Sequence, residues 1–149
     1  MVETQPVVKI RALQDTDLED IVGLDEKVTG SYRPEIWERR LVYYHRRDPE
    51  ASAVAEIDGR VVGFMLGEVR SGEFGLEEPA GWIEVMGVDP EQRGQSIGRR
   101  LADHLFGHFR NRGASTVRTL VDEDMDQIAG FFTALGFQPG KMRPFVRQL

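Results

Sequence analysis

The hydrophobic and polar positions change period several times along the chain, and each change marks an element. Val7 to Leu13 alternates about Val8, Ile10 and Ala12, the period-two signature of a strand. Leu18, Ile21, Val22 and Asp25 then recur at helical spacing, with Thr16 and Glu19 placed for a capping box. A turn at Thr29-Gly30-Ser31 leads to Pro34, whose fixed φ suits the first position of a second helix. Ile36, Trp37, Leu41 and Tyr44 form the apolar stripe of that helix, which stops before Asp48-Pro49.

Two β-prone runs, Ala51 to Ile57 and Val61 to Val69, flank Asp58-Gly59, a pair suited to a two-residue hairpin. Ser71 to Gly81 is rich in glycine, holds a proline and has few large apolar residues, so it reads as a mobile connection. Trp82 to Val88 is a strand closed by Asp89-Pro90. Ile97, Leu101, Leu105 and Phe109 recur every four residues and predict an amphipathic helix up to Gly113. A strand at Thr116 to Val121 follows. Ile128, Phe131, Phe132 and Leu135 mark a last helix ending at Gly136, and Phe137 to Leu149 reads as one or two closing strands split by Pro139-Gly140.

An antiparallel start followed by a strand-helix-strand crossover predicts a mixed α/β fold, one sheet with helices on both faces, in a single domain over residues 1–149. Ligands in such folds favour the C-terminal ends of strands, here the end of Trp82 to Val88. The absence of cysteine excludes disulfides, thiolate metal sites and a cysteine nucleophile. No stretch approaches the about eighteen apolar residues of a membrane span, and no leader pattern opens the chain, so the expected setting is cytoplasmic. A net charge of −6 disfavours nucleic acid and mildly favours cationic partners.

The segment Val88-Asp-Pro-Glu-Gln-Arg-Gly-Gln-Ser-Ile-Gly-Arg-Arg-Leu101 carries the chemistry: a strand runs through a compact turn straight into a helix. The first amides of a helix lack internal partners and carry the positive end of its dipole, so they attract anions. Gly94, Ser96 and Gly98 are small enough to let a phosphate reach the backbone, and Arg93, Arg99 and Arg100 can add charge-assisted hydrogen bonds. Arg93, Ser96 and Gly98 occupy the positions of a known pattern: Arg or Gln, two residues, Gly, one residue, then Gly or Ala. The segment thereby resembles the pyrophosphate loop of the GNAT acetyltransferase superfamily, with Ser96 in place of the usual glycine. Val88-Asp-Pro, Phe131-Phe132-Thr-Ala-Leu-Gly-Phe137, Ile10-Arg11-Ala12-Leu13 and Asp17-Leu18 look like further landmarks of that family, so the resemblance spans nearly the whole chain.

The resemblance implies a mostly antiparallel central sheet of about six to seven strands flanked by about four helices. It also implies acetyl-CoA as acyl donor, wedged between the strands Trp82 to Val88 and Thr116 to Val121. The pyrophosphate would lie on Arg93, Gly94, Gln95, Ser96, Ile97, Gly98 and Arg99, backbone groups near Met86 and Val88 would pair with the pantetheine arm, and Phe132 would line the thiol end. The acceptor is then a primary amine on a small molecule, peptide or protein, which attacks the thioester directly and without a metal. Glu84 is the candidate base, since alternation puts it on one strand face with Trp82, Met86 and Val88. Relatives often carry a glutamate where this chain has Trp82, so Glu84 needs a bulge or a bridging water to serve. Relatives often carry a tyrosine where this chain has Phe132, which cannot protonate a leaving thiolate. Tyr32, Tyr43 and Tyr44 are substitutes, although such tyrosines more often pack.

His45, His104 and His108 lack the companions of a metal site and read as solvated helix face. Terminal strands of this kind can pair across a homodimer. The rival functional reading is a binding module of the same fold that senses acyl-CoA without turnover.

Overall fold

The computed structural model describes residues 6–92 and 95–149. They divide into a larger unit ending at Thr119 and a smaller one beginning at Leu120. The larger unit runs β1 (Lys9–Ala12), α1 (Leu18–Thr29), α2 (Pro34–Arg47), β2 (Ala53–Ile57), β3 (Arg60–Arg70), β4 (Ala80–Val88), α3 (Ile97–Asn111) and β5 (Thr116–Thr119). The strands form one sheet in sequence order, antiparallel except for the parallel pair β4 and β5. The β2–β3 hairpin turns on Asp58 (φ 51°) and Gly59 (φ 78°), both left-handed as a tight hairpin turn requires.

Helices cover both faces. On one, Ile21, Val22 and Leu24 of α1 and Trp37, Leu41 and Tyr44 of α2 join Val54, Phe64 and Leu66 of the sheet in a continuous core. α3 covers the other face and lies directly on the strands. A Cβ on Gly63 would stand 2.9 Å from Ile97, and one on Gly81 only 2.3 Å from the Phe109 ring.

Ion pairs fix the first elements. The entry to α1 is capped otherwise than Thr16 and Glu19 suggest. The chain enters through a single turn of 3-10 helix at Asp15–Asp17, which moves the cap upstream, and Asp17 Oδ2 accepts the Gln14 N–H at 2.9 Å. The same buried carboxylate takes two hydrogen bonds from Arg11, at 2.8 and 2.9 Å, and Arg11 Nε also donates to Glu56 on β2. Asp25, counted by spacing in the apolar stripe of α1, is buried because Arg33 grips it through two nitrogens at 2.7 and 3.1 Å. Burial pushes the Asp25 carboxyl up, but the Arg33 hydrogen bonds outweigh it and hold the group below the usual carboxylate range. His108 is not on a solvated face: its ring is largely buried, with Nε2 2.8 Å from Asp48 at the end of α2.

The smaller unit holds α4 (Asp126–Ala134), which gives way to Gly136 at φ 95°. Phe132 is buried there, edge-on to Phe131 and Phe137 at 5.1 and 5.0 Å. The expected closing strands are absent: residues 137–149 contain no strand, so the described sheet has five strands rather than six to seven. β-propensity without a partner does not make a strand. Phe145 and Val146 are 93 % and 83 % exposed, and Pro139 and Pro144 remove two ladder donors from a short stretch. Among the described residues, no helix is long and apolar enough to cross a membrane.

Candidate active site

The site begins with a defect in the sheet. Leu66 stands opposite Val85 and Gly67 opposite Ile83, so Glu84 is an extra residue with no partner on β3. Such a β-bulge re-aims the side chain and changes the phase of the strand beyond it. Trp82 and Glu84 project on the α2 side, where both side chains meet Arg70. Past the bulge Val85 packs on the α1–α2 core, and a Cβ on Gly87 would strike Phe64 of that core. Val88 pairs with Gly63, which faces Ile97 of α3, and Met86 pairs with the fully buried Met65. The single face expected for Trp82, Glu84, Met86 and Val88 is therefore split, with Met86 and Val88 turned to the α3 side.

Backbone direction gives Met86 and Val88 a distinct role. The Asp89 N–H donates to Val62 O at 2.8 Å, which makes Gly63–Val88 a pair without mutual hydrogen bonds. By alternation, the N–H and C=O groups of Met86 and Val88 point to the opposite edge of β4. That edge is covered by β5 only up to Ile83, whose carbonyl accepts Thr119 Oγ1 at 2.8 Å as β5 ends. Among the described residues, no strand pairs with β4 beyond Ile83, which leaves the backbone groups of Met86 and Val88 outside the sheet ladder.

β4 then feeds a pinned turn. Asp89 accepts the Glu91 N–H at 3.0 Å and pairs with Lys27 of α1 at 2.9 Å. Burial works to raise this carboxyl, yet the Glu91 and Lys27 contacts prevail and lower it. Arg93 and Gly94 lie outside the described residues. Gln95 donates to Gln92 Oε1 at 2.6 Å, and Ser96 stands at φ 57°, ψ 29°, ahead of α3. The first rung of α3 runs from Arg100 N to Ser96 O, so the N–H groups of Ile97 and Gly98 precede the helical ladder, and the Ser96 side chain does not cap them. Ile97 itself is buried under the sheet, Gly98 is half-buried and Arg99 exposed. Arg100 is committed elsewhere, donating to Val8 O at 3.0 Å.

The left-handed angle explains the glycine that related loops prefer at Ser96, because a side chain there is strained by about 1–3 kcal/mol. Ser96→Gly should raise stability by about 1 kcal/mol, read as a shifted denaturation midpoint at unchanged slope.

The bulge also gathers residues that sequence spacing did not single out. Glu84 pairs with Arg70 of β3, and Arg70 Nε pairs with Glu68 two residues earlier. Glu68 Oε1 also accepts the Tyr43 hydroxyl of α2 at 3.0 Å. Tyr44 is buried beside them. Burial first, then the charges of Glu84 and Glu68, push its hydroxyl well above the usual phenol range, so it stays protonated. Glu68 had one sequence signal: it shares the inward phase of Phe64 and Leu66, where a carboxylate is out of place. Together these place a carboxylate at the bulge, backbone groups outside the ladder at the end of β4, and amides ahead of the helical ladder at the start of α3. Among the described residues no group of three or more acidic or histidine side chains is placed to hold a metal ion.

A mycothiol acetyltransferase of Thermobispora bispora is 38 % identical over 90 residues, 60 % of this chain and 30 % of that protein. The chain spans less than a third of the length of the curated relatives it matches. An aminoglycoside N-acetyltransferase, AAC(6')-Iy, solved with CoA, shares the fold at a TM-score of 0.84 and 21 % identity, over 99 % of both chains. Ard1 from Thermoplasma volcanium superimposes at a TM-score of 0.74 with 25 % identity, over 88 % of this chain and 82 % of that one. The acetyltransferase (GNAT) family model matches residues 16–137, from the entry to α1 through the bulged strand and α3 to the end of α4. That match takes in most of the sequence and every described element except β1, and the chain accordingly belongs to the GNAT acetyltransferase family.

Proposed function

We propose that the chain transfers an acyl group, ordinarily acetyl, from an acyl-CoA thioester to a primary amine by direct attack. The observation that carries this reading is the bulge, which sets Glu84 on the same strand as the open backbone edge of Met86 and Val88, just before the uncapped start of α3. In this reading the pyrophosphate lies on the loop from Arg93 to Arg99, and the pantetheine amides pair with the strand edge. A neutral amine nitrogen attacks the thioester carbonyl, the C–N bond forms, the C–S bond breaks, and the electron pair leaves on sulfur. The amine's proton passes to Glu84, directly or through water. Phe132 has no proton to give, so the thiolate is protonated from solvent, which is tolerable for a leaving group with a free-thiol pKa near ~8.5. The names of relatives, a mycothiol and an aminoglycoside acetyltransferase, support a small-molecule acceptor over a polypeptide.

The test is thiol release from acetyl-CoA against a panel of amines, with CoA affinity measured separately by calorimetry. Gly98→Val puts a branched side chain in the first turn of α3 and should weaken CoA binding by at least about tenfold in a folded protein. Unchanged affinity would remove the loop assignment. Tight CoA binding without thiol release across the panel would select the sensing module instead.

A further inference from the structure

Two carboxylates and one tethered cation share the α2 side of the bulge. Glu68 and Arg70 are two apart on β3, and Glu84 is the unpaired residue of β4. Arg70 reaches both acids through different nitrogens, Nε to Glu68 and a terminal nitrogen to Glu84. Glu68 is 7 % exposed; its Oε1 is taken by Tyr43 and Arg70, but Oε2 is fully buried with no hydrogen-bond partner. Native structures rarely leave such an acceptor empty, and this one calls for a further donor. Glu84 is the open end of the pair, its side chain 30 % exposed. Aromatic rings complete the surroundings: Arg70 lies over Trp82 at 5.6 Å, and the exposed Phe74 ring is 6.4 Å from Trp82. Carboxylates among aromatic faces suit ammonium groups. Arg47 stacks on Tyr43 at 3.6 Å, and Arg118 of β5 stands in register with Trp82.

We propose that Glu68 and Glu84 form a two-point subsite for an acceptor with two amino groups a few bonds apart, a diamine or polyamine, and that Arg70 fills this subsite as a tethered cation until such an acceptor displaces it. The proposal rests on the amine-acylating reading above. A single ammonium held between two carboxylates is stabilised in its protonated form, which opposes nucleophilic attack. A second amine resolves the conflict. The nitrogen that replaces Arg70 Nε at the buried Glu68, and supplies Oε2 with a donor, stays protonated as the anchor. The nitrogen at the more exposed Glu84 gives its proton to that carboxylate and attacks the thioester carbonyl carbon. The new C–N bond replaces the C–S bond, and the electron pair departs on the CoA sulfur.

Titration calorimetry with spermidine, in the absence of CoA, tests the subsite. Arg70→Gln removes the internal competitor and should tighten spermidine binding at least about tenfold, and by clearly more than it tightens butylamine binding. Adding Glu68→Gln to that variant should abolish the gain. Folded Arg70→Gln protein that binds spermidine no tighter than wild type, or a gain that survives loss of the Glu68 charge, overturns the proposal. If Arg70→Gln does not fold, Glu68→Gln alone decides: a loss of at least about fivefold supports the subsite, and unchanged affinity overturns it. CoA is absent from these titrations, so their failure leaves the transferase reading standing. Failure of CoA to bind in its own titration ends that reading without altering the spermidine result.

Discussion

Glu84→Gln should lower turnover at neutral pH by about 100-fold to 10,000-fold, the usual contribution of a positioned general base, while acetyl-CoA affinity stays nearly intact. The substitution keeps the shape of the side chain and its place in the bulge, and removes only the charge and basicity. An alkylamine with a pKa near ~10 is almost wholly protonated at neutral pH, and the protonated form cannot attack. As pH rises towards that value the neutral fraction grows without help from the protein. Part of the loss should therefore be recovered in alkaline buffer, and the gap between wild type and variant should narrow. Wild-type turnover across the whole range, measured where chemistry is rate-limiting, would make Glu84 a structural partner of Arg70. Arg70 gives the profile a second feature. Arg70 occupies the Glu84 carboxylate through an ion pair, so acceptors that displace Arg70 should show the larger dependence on Glu84.

The second large effect is expected at a position with no chemistry of its own. Gly67 lies opposite Ile83 at the edge of the bulge, where a Cβ would stand 2.3 Å from the carbonyl oxygen of Trp82 and 3.2 Å from that of Ala51. A backbone atom cannot rotate away as a side chain can. Gly67→Ala should destabilise the protein by about 3 kcal/mol, the upper range of overpacking effects, and lower the melting temperature by roughly 10 °C. Relief requires β4 to move off β3, which alters the bulge and the direction of Glu84. Turnover should consequently fall even at temperatures where the variant is fully folded. A variant with wild-type midpoint and turnover would show that β4 reaches its bulged register without the close approach at Gly67.

What the sequence determined by itself is local. Asp58-Gly59 reverses the chain because its two residues tolerate left-handed angles; Pro34 starts α2 because its ring already has the helical φ, and Gly30 ends α1 at φ 79°. The apolar spacing of Ile97, Leu101, Leu105 and Phe109 sufficed for α3. Each signal lies within a few residues of its effect, so it can be read along the chain.

Tertiary structure decided the rest. The bulge at Glu84 is a property of two paired strands, because register exists only between β3 and β4, and inserting one unpaired residue moved Met86 and Val88 to the other face. The contacts among Tyr43, Glu68, Arg70 and Glu84 join α2, β3 and β4 across sequence separations that no local pattern spans. The same dependence acts in reverse at residues 137–149, where β-prone side chains without a paired neighbour form no strand, and in α1, where Asp25 is buried because Arg33 lies within reach. Helices and tight turns satisfy their backbone groups with near neighbours and so follow from sequence. Strand register, bulges and buried charges need a partner from elsewhere in the fold, and the packing of the sheet supplies it.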